Sequence, residues 1–153
     1  MKIINLKASW VINAPRESIY KIVSDFESMP KNFPAVAHSI NIVQRNGNEL
    51  LIHAMAKSLG IPPIPVTMKT TLVPGKGYIS DNINPKFRTS GHEEFLMEDV
   101  EGGTKITYSY AYDLSKSNPL LRLMAKPLFG GISMWYWEKV FINRLKFLLG
   151  VNR

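Results

Sequence analysis

Ser117–Leu149, SNPLLRLMAKPLFGGISMWYWEKVFINRLKFLL, is the longest candidate helix in the chain and the richest in aromatics. From Ile132 onward, Met134, Trp137, Phe141, Leu145 and Leu148 recur at three- and four-residue steps, the spacing of one helical face. Trp135, Ile142 and Leu149 widen that face. Tyr136, Val140 and Phe147 add a second apolar strip, leaving Lys139, Asn143 and Lys146 as a narrow polar edge. A helix this apolar needs a concave partner, so the rest of the chain is expected to form its wrapper. Pro127 and Gly130-Gly131 should break the stretch into a short piece over about 117–128 and a long one from Ile132. The short piece reads equally as a lid or as an irregular helix start packed on a sheet.

Immediately before this stretch the period changes to that of strands and turns. Strands are expected near 36–45, 48–59, 65–73, 77–83, 86–99 and 103–114. The turns are of two kinds. Asn46-Gly47-Asn48, Pro74-Gly75-Lys76 and Glu101-Gly102-Gly103 are tight and carry glycine, as hairpins require. Gly60-Ile61-Pro62-Pro63-Ile64-Pro65, Asn84-Pro85 and Ser117-Asn118-Pro119 are proline-rich. In an antiparallel meander the two kinds fall at opposite ends of the sheet, so one end is closed by glycine turns and the other is the expected mouth. Proline protection of loop edges is the competing explanation.

At the front, Ile4, Leu6, Ala8, Trp10 and Ile12 alternate with polar residues and predict a strand over 2–13. Pro15 suits a helix start and Glu17 suits its first turn; that helix should run to about Phe26, with a second short helix or turn over Ser28–Phe33. The order is strand, two short helices, six strands and a long helix. It predicts an α+β domain over residues 1–153, with a curved seven-stranded antiparallel sheet wrapped around its last helix.

The run APRESIYKIVSDFESMP at 14–30 resembles the alanine-proline helix start and Asp-x-Glu-x-x-Pro helix end of the START and Bet v 1-like helix-grip superfamily, in its polyketide cyclase/dehydrase and lipid-transport branch. GGTKITY at 102–108 is similar to that branch's penultimate hairpin, and the element order matches over the whole chain. The resemblance implies a deep cavity between sheet and last helix that holds an apolar or amphipathic ligand. Members include carriers, quinone-binding chaperones, plant hormone receptors and aromatase/cyclases. The matching motifs are architectural and carry no catalytic signature.

Composition narrows the chemistry. The 153 residues are 45% hydrophobic and hold no cysteine, which removes disulfides and thiol chemistry and fits a cytoplasmic protein. Asn5 and Lys7 interrupt any apolar leader segment, and no apolar run reaches membrane-spanning length. Seven of the Lys and Arg residues but a single acid, Glu138, lie in 115–153, so most of the net charge of +7 belongs to the final segment. There the basic residues alternate with Leu, Met and Phe. That pattern suits an anionic membrane surface better than nucleic acid, although a solvated charged rim accounts for it equally. His38, His53 and His92 have no partners at metal-ligand spacing. No nucleophile elbow or phosphate or dinucleotide loop is present, so neither metal nor cofactor is expected.

The candidate site is an aromatic interior with a few polar groups. Phe95 shares a strand face with Glu93. Tyr108, Tyr110 and Tyr112 share another with Ile106. Met134, Trp137 and Phe141 face them from the helix, and His38 has the inward parity of Ile40 and Ile42. Core packing accounts for most of these side chains, but inward tyrosines need hydrogen-bond partners. A turn centred on Glu101-Gly102 sets Glu93 opposite Tyr110; one centred on Gly102-Gly103 sets it opposite Tyr112. A bulge at Glu93-Glu94 would instead turn Glu93 outward. Ile61, Ile64, Leu120, Met124 and Phe129 should ring the mouth, with Arg122 and Lys126 at its edge as a membrane or partner surface. The expected function is binding or transport of a hydrophobic small molecule such as a lipid, isoprenoid or quinone, or polyketide-like compound. An aromatase/cyclase-type enzyme and a protein- or membrane-interaction module are the alternatives.

Overall fold

The computed structural model describes residues 3–58, 61–123 and 131–151. Strand β1 (Ile3–Ile12) leads into helix α1 (Arg16–Val23), a 3-10 turn (Phe26–Ser28) and a short helix α2 (Met29–Asn32). Six strands follow: β2 (Ala37–Asn46), β3 (Glu49–Ser58), β4 (Ile61–Val73), β5 (Gly77–Asn84), β6 (Thr89–Val100) and β7 (Gly103–Asp113). Residues 119–123 are helical (α3), started by the Asn118 carboxamide, which accepts the Leu121 amide N–H at 2.7 Å. Beyond residue 130 a single helical run comprises α4 (Gly131–Trp137), a π-turn (Glu138–Ile142) and α5 (Asn143–Leu149), closed by Gly150 in the left-handed conformation.

All seven strands form one antiparallel sheet in the order β1-β7-β6-β5-β4-β3-β2. This is the expected strip of hairpins, with β1 carried across by α1 and α2 to the edge opposite β2. The concave face carries much of the core by alternation: Ile52, Phe95, Met97 and Ile106 are buried, and Phe141, Ile142 and Leu145 of the terminal helix belong to the same cluster. Phe141 stacks on Phe33 at 4.3 Å between ring centroids and on Trp137 at 4.5 Å.

The three glycine turns do lie at one end, and that end is tied down. Arg16 donates to Gly75 O at 2.7 Å and to Asp99 at 3.1 Å, and Thr104 Oγ1 donates to Ala14 O at 2.7 Å. Gly103 has φ +135°, and a Cβ there would come within 2.1 Å of Ile12 O, so only glycine lets β7 start this close to β1.

Three local expectations fail. The segment 61–65, expected to be a loop, is extended and paired, with Ile64 opposite Ala56 and Pro65 opposite Met55. Pairing of β4 with β5 begins only at Thr67, so the prolines lie where the far side has no ladder and a missing N–H costs little. Residues 86–88, expected to open β6, instead continue the turn at Pro85, held by the Asn84 side chain, which accepts the Lys86 and Phe87 amides. The terminal helix is not uniformly α, because the π-turn inserts one extra residue.

Candidate functional site

Glu93 is buried, 8% exposed, on the concave face of β6. The register sets it opposite Tyr110, with Phe95 opposite Tyr108 and Gly91 opposite Tyr112, so the hairpin turns at Glu101-Gly102 and no bulge intervenes. Its partners come from both neighbouring strands. Tyr108 Oη donates to Oε2 at 2.6 Å and Tyr78 Oη donates to the same oxygen at 3.4 Å. Asn82 Nδ2 donates to Oε1 at 3.2 Å and to Tyr110 Oη at 3.1 Å. Asn82 Oδ1 accepts from Ser80 Oγ at 2.6 Å. Ser80 Oγ also lies 2.8 Å from Thr70 Oγ1; since its one proton goes to Asn82, Thr70 is the donor there.

Burial raises the pKa of Glu93, and the hydrogen bonds from Tyr108, Asn82 and Tyr78 oppose that rise without cancelling it. Burial, reinforced by the Glu93 charge, also pushes the Tyr78 and Tyr108 hydroxyls well above their ordinary range, raises Tyr110, and moves Tyr112 up to about 12. The tyrosines are therefore neutral donors near neutral pH, and Glu93 is the one acidic group of this cluster.

Two adjoining cavities open beside this cluster. The inner one, about 200 Å³, is walled by Tyr78, Asn82, Glu93, Tyr108, Trp137 and Phe141, among others. The outer one, about 220 Å³, is walled by Ile64, Phe87, Thr89, Tyr112, Ser133 and Tyr136, among others, towards the proline-rich end. Ala56, Asn82, Tyr110 and Trp137 border both. Together they reach the lower part of the range of small-molecule sites, roughly 300–1,000 Å³. The π-turn begins directly after Trp137, whose indole stacks on Tyr108 at 4.0 Å, and Glu138 accepts from Trp10 Nε1 at 2.5 Å.

Of the residues singled out from the sequence, Glu93, Tyr108, Tyr110, Tyr112, Trp137, Phe141 and Ile64 are brought to these walls. Phe95 is fully buried behind them, stacked on Tyr78 at 5.6 Å, and Met134 packs on the core; neither lines a cavity. His38 is exposed, because a register shift between Ala37 and Ser39 turns it out of the parity of Ile40. Leu120 is 66% exposed and borders neither cavity. Arg122 reaches the Ser115 carbonyl at 3.4 Å. Met124, Lys126, Phe129 and the Ile61 side chain lie outside the described residues.

Sequence reasoning missed Tyr78, Ser80 and Asn82. The signal was present: three hydrogen-bonding residues on one parity of β5, next to the strand that carries Glu93. It also missed a cluster on the outer face, where His92 bridges Asp81 at 2.8 Å and Glu94 at 2.7 Å, raising the imidazole pKa. Both ring nitrogens are taken by carboxylates. Among the described residues, no group of three or more His, Cys, Asp or Glu is arranged to hold a metal ion.

The sequence model of the family described as polyketide cyclase / dehydrase and lipid transport matches residues 4–134. No curated protein matches the chain in sequence. Among solved structures, the Zhui aromatase/cyclase from Streptomyces sp. R1128 superposes with TM-score 0.74 at 11% identity, over 95% of this chain and 96% of its own. Ara h 8.0201 gives 0.70 at 18% identity, over 97% and 99%. A START superfamily protein from Mycobacterium smegmatis gives 0.69 at 16% identity, over 97% and 99%. At these identities the likeness establishes the fold they share, the helix-grip arrangement of sheet and terminal helix.

Proposed function

The chain belongs to the polyketide cyclase/dehydrase and lipid transport family, and from that premise we propose that residues 1–153 are one ligand-binding domain carrying a hydrophobic small molecule of the lipid, isoprenoid or polyketide-like kind. The ligand's apolar body occupies the space between sheet and terminal helix, and its polar end meets Glu93 and the tyrosines around it. The observation that carries this reading is the pair of cavities meeting at Tyr110, Asn82 and Trp137, walled by apolar and aromatic side chains with polar groups among them. A carrier needs only such an anchor. Acid–base chemistry would rest on Glu93, since burial raises the pKa of the tyrosines around it.

Native mass spectrometry of freshly purified protein tests the reading. A mass increment of a small apolar compound is expected on the wild type and not on Ala56→Phe, which fills the junction of the cavities. Both chains running at the mass of their own bare sequence would remove the carrier. The cyclase reading is favoured over the carrier only by Glu93 itself, a buried carboxylate in the wall of the inner cavity. It requires that the bound compound lose water on the wild type and not on Glu93→Gln. The proposal extends to the proline-rich end, where Leu120 and Leu123 are 66% and 78% exposed beside Arg122; this rim, with Lys126, meets an anionic membrane when ligand is exchanged.

A further inference from the structure

We infer that the ligand carries a hydrogen-bond acceptor oxygen, a ketone, quinone or ester carbonyl, placed where the two cavities meet and held there by the hydroxyl of Tyr110. The inference rests on the reading of the cavity as the ligand site and deepens it. It follows from the direction in which protons are handed along the interior chain. Thr70 donates to Ser80, Ser80 donates to Asn82 Oδ1, and the two Asn82 amide hydrogens go to Glu93 Oε1 and Tyr110 Oη. This orientation of the amide is set at its Glu93 end. Turned round, Asn82 would press its oxygen against the Glu93 carboxylate.

Tyr110 Oη is therefore committed as an acceptor, and its own proton has no acceptor among the described residues. Tyr108 and Tyr78 spend theirs on Glu93. Tyr110 alone in this cluster has a donor to offer, and it borders both cavities. Its ring is held in place by close packing. A Cβ on Gly91 would come within 2.1 Å of Tyr110 Cε1 and 2.6 Å of its hydroxyl, so the absent side chain of Gly91 is the space that the ring lies in. Glu93, with three donors already on it, is by contrast a poor partner for a further acceptor and sets the polarity of the site from behind.

The probes are 9-fluorenone and fluorene, which have nearly the same shape and differ by one carbonyl. Titrated by quenching of tryptophan emission, fluorenone should bind the wild type about five- to ten-fold tighter than fluorene. Tyr110→Phe should remove that preference, so that fluorenone and fluorene bind the variant alike. The carbonyl stretch of bound fluorenone should lie at lower frequency on the wild type than on Tyr110→Phe, a difference that a merely structural role of the ring does not produce. Glu93→Gln keeps Tyr110 but lets Asn82 turn round and claim its proton, so the preference should shrink there too. Equal binding of both probes to the wild type, or an undiminished preference in Tyr110→Phe, overturns the acceptor-oxygen inference and leaves the ligand cavity standing. Failure of both probes to bind the wild type counts against the cavity as well.

Discussion

At the scale of single residues the decisive fact is a carboxylate placed among rings. Glu93 was legible because two strands agreed: its parity with Phe95 and Met97 on β6, and the tyrosine parity on β7, could both be buried only if it faced inward. What could not be read was its hydrogen bonding. The shortest bond comes from Tyr108, diagonal to it, and the amide from Asn82 on the other side; such choices depend on sheet twist and side-chain reach rather than on register. Burial raises the Glu93 pKa above that of an exposed carboxylate. Between the two values the folded chain holds a proton that the unfolded chain has lost. Stability is therefore full below the ordinary carboxylate range and falls as pH rises through the native pKa of Glu93. Glu93→Gln should abolish that fall. Thermal melts of both chains from about pH 4 to about pH 9 should give a difference curve that climbs in favour of the variant with rising pH. His92, also raised by its carboxylates, titrates in both chains. A flat difference curve would mean that the Glu93 carboxylate is solvated.

At the scale of elements, the strands were legible from their period of two, and the closed end from its glycines. Two failures share a cause. Segment 61–65 and the register shift at His38 are settled by what lies beside a strand, and no residue announces its neighbour's length. The π-turn is the third case. Met134, Trp137, Phe141, Leu145 and Leu148 fit an unbroken α-helix, yet the ladder takes in one more residue at Glu138–Ile142. An extra residue turns everything beyond it by about 100°. This aligns the exposed Trp135, Lys139 and Phe147 along one outer line that an unbroken helix would splay. The same slack makes a test. Deleting Lys139 should collapse the π-turn to α while keeping Phe141, Ile142 and Leu145 inward, at a cost of about 1 kcal/mol. Inserting an alanine after Lys139 should turn Leu145 away from the core and cost roughly 2–5 kcal/mol, as for loss of a buried leucine. Denaturant melts measure both, and equal losses would show that the π-turn holds no slack.

At the scale of the whole molecule, charge and shape are unevenly spread. Basic residues concentrate after residue 115, the glycine turns are pinned by Arg16 and Thr104, and the opposite end carries the exposed leucines. Arg122→Glu with Lys126→Glu should weaken binding to vesicles containing phosphatidylserine by about ten-fold or more at low salt, with little effect at high salt. Flotation or co-sedimentation reads this, and unchanged binding would remove the membrane contact from the proposal. Among the described residues no helix is long and apolar enough to cross a membrane. The strand order has a further consequence, in time rather than in space. Strand β1 pairs only with β7, Ile3 meeting Asp113. Strand β1 is made before β7 and must wait for it, with Trp10 and its apolar alternation unpaired while β2 to β7 are synthesised. Closure of so long a loop is slow, and an idle strand edge recruits other chains. Yield in a cell should thus be governed by how well that waiting strand is shielded during translation, before any cavity exists to be filled.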